Sequence, residues 1–240
     1  MNPHPRREFL RHLSSLSLAG SAVLSARPHA QAADAAQRRM TINLSCGSIG
    51  VPANQVQAID LAQRHGFESV DAAGDYLASL SDDKLKELLA DMKNKRVVFG
   101  SAGLPVEFRQ DETRFEDGLK RLPPFAAGLR RACVTRVGTY LMPAHDRLTY
   151  VQNFKQHARR LRAAAQILQD HGQRLGLEYV GTPSLRVTRK FPFVHSMPEM
   201  LELIGEIGLT NVGLILDTWH WWTAGDTVAD ILALKNDQVV

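Results

Sequence analysis

The chain has 240 residues, of which 44% are hydrophobic and 22% charged, proportions typical of a folded globular protein. These values exclude a disordered tail, a collagen-like repeat and a cysteine-rich scaffold. The formal charge of +4 is concentrated in residues 1–32, because residues 33–240 carry 25 basic and 24 acidic side chains. A body so close to neutral gives no electrostatic reason to expect nucleic acid as a partner.

The first segment in chain order is predicted to be an export signal. Residues 6–11, with Arg6, Arg7 and Arg11, resemble a twin-arginine signal peptide. The apolar stretch that follows is about half the length needed to span a bilayer, and residues 30–32 form a small-x-small cleavage pattern. We therefore expect a signal over residues 1–32, delivery by the twin-arginine machinery to the periplasm or another exported location, and no stable membrane anchor.

The body, residues 33–240, is predicted to alternate short strands with longer helices. Prolines 123 and 124 are expected to interrupt one of the helices, and residues 237–240 resemble the opening of a seventh strand. The hydrophobic patterns predict strands over 41–46, 68–71, 96–101, 132–137, 174–179 and 212–217, and helices over 53–65, 79–93, 111–122, 125–131, 147–173, 197–207 and 227–234.

This alternation predicts an α/β fold with a parallel sheet covered by helices. The sheet could be open and doubly wound, or closed into a (β/α)8 TIM barrel. An open sheet usually carries Gly-x-Gly-x-x-Gly after its first strand, and residues 46–52 lack that spacing, so the barrel is favoured. Because a barrel needs eight strands, we expect this chain to be truncated after about six βα units.

Several polar residues are interpreted without a functional role. Cys46 and Cys133 lie in apolar runs and are expected to be buried, and their spacing leaves open whether they pair. Histidines and arginines on the predicted helices are expected at the solvated surface, namely His65, His157, His171, Arg159, Arg160 and Arg162.

Two acids stand where a parallel barrel places its active site, at the carboxyl ends of strands. Glu178 ends one apolar strand, and Asp217 ends the next, three residues before His220. Burying a carboxylate costs free energy unless it is paired, hydrogen-bonded or bound to a cation. Two acids and an imidazole suit a divalent metal, although a helix-cap or ion-pair role remains the alternative for each acid.

Two segments resemble the sugar phosphate isomerase/epimerase family, which has the xylose isomerase-like TIM barrel. Residues 216–220, Leu-Asp-Thr-Trp-His, with 224–226, Ala-Gly-Asp, are similar to the family's strand-six pattern, and residues 176–178 match its strand-five element. The resemblance covers residues 41–240. It implies that Glu178 and Asp217 bind Mn²⁺, Mg²⁺, Co²⁺ or Zn²⁺. It also implies that Glu178 and His220 are catalytic, with Glu178 moving protons and His220 contacting substrate oxygens.

The resemblance implies an enzyme, a metal-dependent isomerase or epimerase of a small carbohydrate that abstracts a proton next to a carbonyl. Trp219 and His145 are further candidates for substrate binding. Tyr179 follows the strand-five acid where many members carry histidine, which leaves the substrate open. Two alternatives remain, an exported lyase or hydrolase of an oxidised sugar with the same metal site, and an inactive sugar-binding protein. The oligomeric state is also left open.

Overall fold

Nine strands are assigned within residues 40–240, the part of the chain that the computed structural model describes. The predicted signal, residues 1–32, lies outside this part. The strands are β1 (Asn43–Leu44), β2 (Ser69–Val70), β3 (Val98–Phe99), β4 (Ala102–Gly103), β5 (Arg136–Leu141), β6 (Ala144–His145), β7 (Arg174–Tyr179), β8 (Phe191–Pro192) and β9 (Val212–Leu214).

Helices follow most of these strands. They are α1 (Gln55–His65), α2 (Gly74–Ser79), α3 (Asp82–Lys95), α4 (Glu112–Arg131), α5 (Tyr150–Asp170), α6 (Pro183–Arg186), α7 (Met197–Ile207), α8 (Thr218–Ala224) and α9 (Val228–Ala233), with 3-10 turns at Gly47–Ile49 and Asn236–Gln238. No helix within residues 40–240 combines the length and the apolar character needed to cross a bilayer.

Parallel strands form the wall of the fold. One sheet has the order β1-β2-β3 and a second the order β4-β5-β7-β9, and residues 98–103 run through both sheets. Val239 forms a parallel bridge to Leu214, at the position predicted for a seventh strand. The architecture is an α/β TIM-barrel-like fold, so the predicted barrel is confirmed. A short antiparallel pair, β6 with β8, joins two loops and was not predicted.

The predicted strand over 132–137 is wrong, because the strand there is β5, Arg136–Leu141. Residues 132–134 instead close helix α4. Cys133 has a left-handed φ of 58°, and the Val134 N–H donates to the Leu129 carbonyl. The apolar character of this turn therefore reflects packing against the helix rather than strand pairing. The expected burial of Cys133 is wrong too, since its thiol is free and exposed, whereas Cys46 is free and buried.

The prolines do not interrupt helix α4, which runs unbroken from Glu112 to Arg131. Each proline removes one backbone donor and disfavours the helix by about 3 kcal/mol. Packing offsets that cost, because Leu122, Phe125 and Leu129 continue one buried stripe across the proline pair. A strand or turn at this point would expose those side chains.

Two residues expected at the surface of helix α5 are buried instead. His157 lies with its ring edge-on to Phe108 and tilted against Phe193, and is 3% exposed. Arg160 is 2% exposed, and its guanidinium donates to the carbonyls of Phe108 and Gln110. The charge run is therefore only partly a solvated face.

Strand β7 shows how the wall separates core from site. Leu175, Leu177 and Tyr179 alternate on one side and are buried in the hydrophobic core. Gly176 and Glu178 alternate on the opposite side, as the two-residue period of a strand requires. On that side the Ile215 side chain covers Gly176, where an added Cβ would lie 2.6 Å from Ile215 Cγ1. On the side of the strand that carries Glu178, the space left by Gly176 is therefore filled by the Ile215 side chain.

Candidate metal and substrate site

Glu178, Asp217 and His220 converge at the carboxyl ends of β7 and β9. One ligand atom from each residue lies within 4.8 Å of the ligand atoms of the other two, and all three side chains are partly buried. Two ligands of one cation, each about 2.0–2.6 Å from it, lie at most about 5 Å apart. The three residues, called the metal cluster below, therefore fit a single divalent ion.

Asp217 has two roles in this arrangement. It is the N-cap of helix α8, with Oδ1 accepting from the backbone N–H groups of Trp219 at 2.7 Å and His220 at 3.0 Å. The cap holds the carboxylate in one orientation and uses only Oδ1. The cap role that the sequence left as an alternative is thus real, and it coexists with the cluster.

The electrostatics of Glu178 indicate excess negative charge in the cluster. Burial raises the pKa of this carboxyl from 4.5 to about 7, and the neighbouring charge of Asp217 and a hydrogen bond to it act in the same direction. A carboxylate pair that resists losing its last proton is stabilised by a cation as well as by a proton. The donor set and its charge therefore both suit a metal ion.

His220 also has a buried ring nitrogen that lacks a partner within the described part of the chain. Its Nδ1 atom is buried and has no hydrogen-bond partner within residues 40–240. A buried imidazole nitrogen without a partner costs free energy that a metal ion or a bound substrate oxygen would recover. The sequence predicted an imidazole beside the two acids of a metal site, and the resemblance implied a catalytic, substrate-contacting role for His220. The geometry brings His220 among the candidate metal ligands.

Close contact between the loop after β7 and helix α8 positions His220. An added Cβ at Gly181 would lie 2.1 Å from the His220 carbonyl oxygen, so only glycine permits this approach. Arg186 ties the two segments together, with its guanidinium donating to the carbonyls of Gly181 and Thr223. Neither residue was predicted, because their role depends on a contact between segments far apart in sequence.

Tyr179 occupies the position after the strand-five acid where many family members carry histidine, and it has a structural role here. It points away from Glu178 into the core, where its hydroxyl donates to Asp226 Oδ2 at 2.7 Å. Burial and this bond raise the pKa of Tyr179. The same carboxylate oxygen accepts from the Met197 N–H at 3.1 Å, which links the end of α8 to the start of α7. Tyr179 therefore links β7 to the segment between α8 and α9, on the side of the strand opposite Glu178.

The other two predicted residues lie outside the metal cluster. Trp219 lies two residues after Asp217, in the first turn of α8, and is 61% exposed, so its ring is available to a ligand. His145 lies in β6, the short strand after β5, and lines a separate cavity together with Arg109. The structure thus brings together Glu178, Asp217 and His220, places Trp219 in the helix turn that follows Asp217, and leaves His145 in β6, outside the cluster.

A known protein family and several solved structures share the fold described above. The sequence matches none of the curated proteins. Residues 59–239 match the family described as the xylose isomerase-like TIM barrel. The chain belongs to that family. A xylose isomerase domain protein from Alicyclobacillus acidocaldarius subsp. acidocaldarius is 32% identical, with a TM-score of 0.72, and the match covers 83% of this chain and 71% of that one.

More distant structures share the fold. The IolI protein, solved with a bound zinc atom, is 17% identical with a TM-score of 0.65, covering 83% of this chain and 70% of that one. The 3-keto-D-glucoside 4-epimerase YcjR from E. coli is 17% identical with a TM-score of 0.65, covering 84% of this chain and 77% of that one. Sugar epimerases are thus among the proteins that this family member resembles.

Proposed function

We propose that this protein is a divalent-metal-dependent isomerase or epimerase of a sugar or sugar derivative. The observation that carries the proposal is the convergence of Glu178, Asp217 and His220 at the carboxyl ends of neighbouring strands. Support comes from relatives of the same fold, which include a zinc-bound protein and a sugar epimerase. The chemistry is proton abstraction from carbon next to a carbonyl.

The three residues would hold the ion through two carboxylates and one imidazole. This mixture of oxygen and nitrogen ligands is compatible with Mn²⁺, Mg²⁺, Co²⁺ or Zn²⁺. When bound, such an ion polarises a carbonyl group and stabilises negative charge on its oxygen. Asp217 is held by its helix cap, and His220 by the approach of α8 to Gly181, so the ligands are positioned before any ion arrives.

Glu178 is the proposed proton acceptor. Its carboxylate takes the proton from the carbon beside the carbonyl, and the electron pair of that C–H bond moves towards the carbonyl oxygen. In the metal-free protein, burial raises the pKa of Glu178 to about 7, and the neighbouring Asp217 acts in the same direction. Trp219, exposed beside the cluster, offers an aromatic face on which a sugar ring can stack.

Solvent isotope exchange tests this proposal. The Mn²⁺-loaded protein is incubated in D₂O with a panel of ketoses and aldoses, and deuterium next to the carbonyl is followed by NMR. We expect exchange on at least one sugar and a loss of about 100-fold or more in Glu178→Gln with saturating Mn²⁺. Glu199→Gln, a matched change outside the cluster, should exchange normally. Normal exchange by Glu178→Gln would falsify the proton-transfer role.

We infer a second candidate function, a lyase of an oxidised sugar that uses the same metal cluster. A solved structure of the same fold, a probable 3-DHS dehydratase from Bacillus anthracis, is 18% identical with a TM-score of 0.61. Release of water or another leaving group from the substrate in the same NMR experiment identifies this activity.

A further inference from the structure

The face of the sheet that carries Glu178 continues onto the neighbouring strand β5. Strands β5 and β7 are parallel, and Gly138 lies opposite Gly176 in their register. Two residues further along the strands, Tyr140 lies opposite Glu178. Register partners on parallel strands point to the same side of the sheet, and such strands lie about 4.8 Å apart. Tyr140 is therefore the immediate neighbour of Glu178 on the side that carries the metal cluster.

The packing of Ile215 shows independently that the two strands share this face. An added Cβ at Gly176 would lie 2.6 Å from Ile215 Cγ1, and one at Gly138 would lie 2.9 Å from Ile215 Cδ1. A single side chain therefore covers both glycines. Towards the carboxyl ends of the strands, the next side chains on this face are those of Tyr140 and Glu178.

The hydroxyl of Tyr140 is not used by the fold. The neighbouring Tyr179 is 1% exposed and donates its hydroxyl to Asp226. Tyr140 is 48% exposed, and its hydroxyl has no hydrogen-bond partner within residues 40–240. A phenol hydroxyl can both donate and accept a hydrogen bond. The Tyr140 hydroxyl is therefore free to bind an oxygen atom of a ligand at the carboxyl ends of the strands.

Arg109 holds the ring of Tyr140 on one face. Its guanidinium lies 4.5 Å from the centroid of the Tyr140 ring, and a cation over an aromatic face is attracted to it. The same guanidinium donates to the Tyr140 carbonyl at 2.7 Å, to the Thr139 hydroxyl at 2.8 Å and to Glu107 Oε1 at 3.3 Å. A side chain that is supported in this way before binding loses less conformational freedom when a ligand arrives.

We propose that Tyr140 is a substrate-binding residue, whose phenol O–H donates a hydrogen bond to an oxygen of the sugar held at the metal cluster. This inference rests on the proposed function and adds a specificity-determining residue to it. The oxygen is a carbonyl or hydroxyl oxygen next to the carbon from which Glu178 takes the proton, because Tyr140 and Glu178 are adjacent. A site that hydrogen-bonds such an oxygen rejects analogues that lack it, since its own polar group is then left unpaired.

Fluorine NMR of the full chain labelled with 3-fluorotyrosine tests the position of Tyr140. The chain has four tyrosines, and each resonance is assigned by its loss in the corresponding Tyr→Phe variant. Paramagnetic Mn²⁺ broadens the resonances of nuclei close to it. We expect bound Mn²⁺ to broaden the Tyr140 resonance more strongly than that of Tyr76, an exposed tyrosine in α2. Equal broadening of the two resonances by bound Mn²⁺ overturns the proposal.

Sugar binding is followed in the same labelled protein, loaded with diamagnetic Mg²⁺. The probes are D-fructose, D-glucose and D-xylose. We expect at least one of them to shift the Tyr140 resonance while the Tyr76 resonance stays unchanged. If no probe shifts the Tyr140 resonance, the proposal is wrong, whatever the isotope-exchange experiment shows.

Tyr140→Phe isolates the contribution of the hydroxyl, because it keeps the ring that contacts Arg109. With the sugar that exchanges fastest in D₂O, the variant should lose about tenfold in exchange rate, the effect of one hydrogen bond. Its Mn²⁺ affinity and melting temperature should stay at the wild-type values. Tyr76→Phe, the matched removal of an exposed phenol hydroxyl, should change none of the three quantities. A wild-type exchange rate in Tyr140→Phe contradicts the proposal.

The roles proposed for Glu178 and Tyr140 fail in different ways. If Glu178→Gln exchanges normally, the proton-transfer role fails, while a sugar-induced shift of the Tyr140 resonance still supports substrate binding by Tyr140. If Glu178→Gln loses exchange and Tyr140→Phe exchanges at the wild-type rate, the Tyr140 inference fails alone.

Discussion

Two cavities of about 460 Å³ each lie at opposite ends of the parallel strands. One of them, the carboxyl-end cavity, lies in the loops after β4 and β5 and is lined by arginines, acids and a histidine. The other, the amino-end cavity, lies before β3 and β5 and has an apolar lining that includes Leu89, Met92, Val97, Phe99 and Cys133. The two cavities therefore differ in their lining rather than in their size.

Backbone geometry distinguishes the two ends as well. The non-glycine residues with left-handed φ within residues 40–240, Arg96 and Cys133, both line the amino-end cavity, where they end helices. At the carboxyl end, the polar side chains converge on one another. In this fold the loops at the carboxyl ends of the strands carry the functional residues, whereas the turns at the amino ends contribute to stability. The two ends should therefore respond differently to substitution.

The largest expected effect comes from substituting Asp217, which separates its role as a metal ligand from its role as the N-cap of α8. Asp217→Asn keeps an N-cap side chain but removes the charge, so Mn²⁺ affinity should fall more than about 100-fold while the melting temperature changes little. Asp217→Ala removes both roles and should also cost about 1 kcal/mol of folding free energy. Calorimetric Mn²⁺ titration and thermal unfolding measure the two effects. Unchanged Mn²⁺ affinity in Asp217→Asn contradicts the metal cluster.

Gly181→Ala tests whether the cluster depends on close packing of α8. The added methyl meets the His220 carbonyl, so we expect a loss of about 1–3 kcal/mol in unfolding free energy and weaker Mn²⁺ binding. Gly205→Ala is the matched control, because nothing lies within 4 Å of its added Cβ in helix α7. It should stabilise the protein by about 0.5–1 kcal/mol. Equal effects of the two changes, measured by urea unfolding, would show that α8 is not held there.

Parts of this comparison were predictable from the sequence. The strand over 174–179 and the helix over 197–207 have the predicted bounds, because a continuous apolar run and a regular stripe ending at Gly208 determine them locally. Glu178 and Asp217 were predicted to share a site for a similar reason. An acid at the carboxyl end of a buried strand in a parallel sheet lies close to an acid at the same end of the neighbouring strand.

What could not be predicted depends on contacts between distant segments. Arg109 stacks on Tyr140 across 31 residues, and Arg160 is buried because it reaches the carbonyl of Phe108, 52 residues away. Local patterns of charge cannot distinguish such arginines from solvated ones. The same holds for Gly181, whose requirement for glycine exists only once α8 packs against it.

The pH dependence of stability distinguishes the buried His157 from histidines at the surface. Burial, more than the nearby charges, lowers the pKa of His157 from 6.5 to about 3. A lowered folded pKa means that the unfolded chain takes up the proton first, so the contribution is full above pH 6.5 and is lost as pH falls towards 3. Between pH 7 and pH 5 this group should cost about 2 kcal/mol of stability.

The variant His157→Phe isolates this contribution, since it keeps an aromatic ring between Phe108 and Phe193 and cannot titrate. Urea unfolding at pH 7 and pH 5 should show a smaller pH dependence in the variant than in the wild-type protein, by about 2 kcal/mol. His65→Phe, at an exposed helix end, is the control and should keep the wild-type dependence. Identical pH dependence in all three proteins would mean that His157 is accessible to protons.

The smallest expected effect lies at the amino-end cavity. Cys133 has a φ of 58°, a conformation that costs residues with a Cβ about 1 kcal/mol more than glycine. Cys133→Gly should therefore be more stable than Cys133→Ala by up to about 1 kcal/mol, because both remove the thiol and only glycine removes the strain. Urea unfolding compares the two, and Mn²⁺ affinity should stay at the wild-type value in both. A loss of Mn²⁺ binding in either variant would contradict the functional separation of the two ends, since Cys133 lies before β5 at the amino end and the metal cluster lies at the carboxyl ends of β7 and β9.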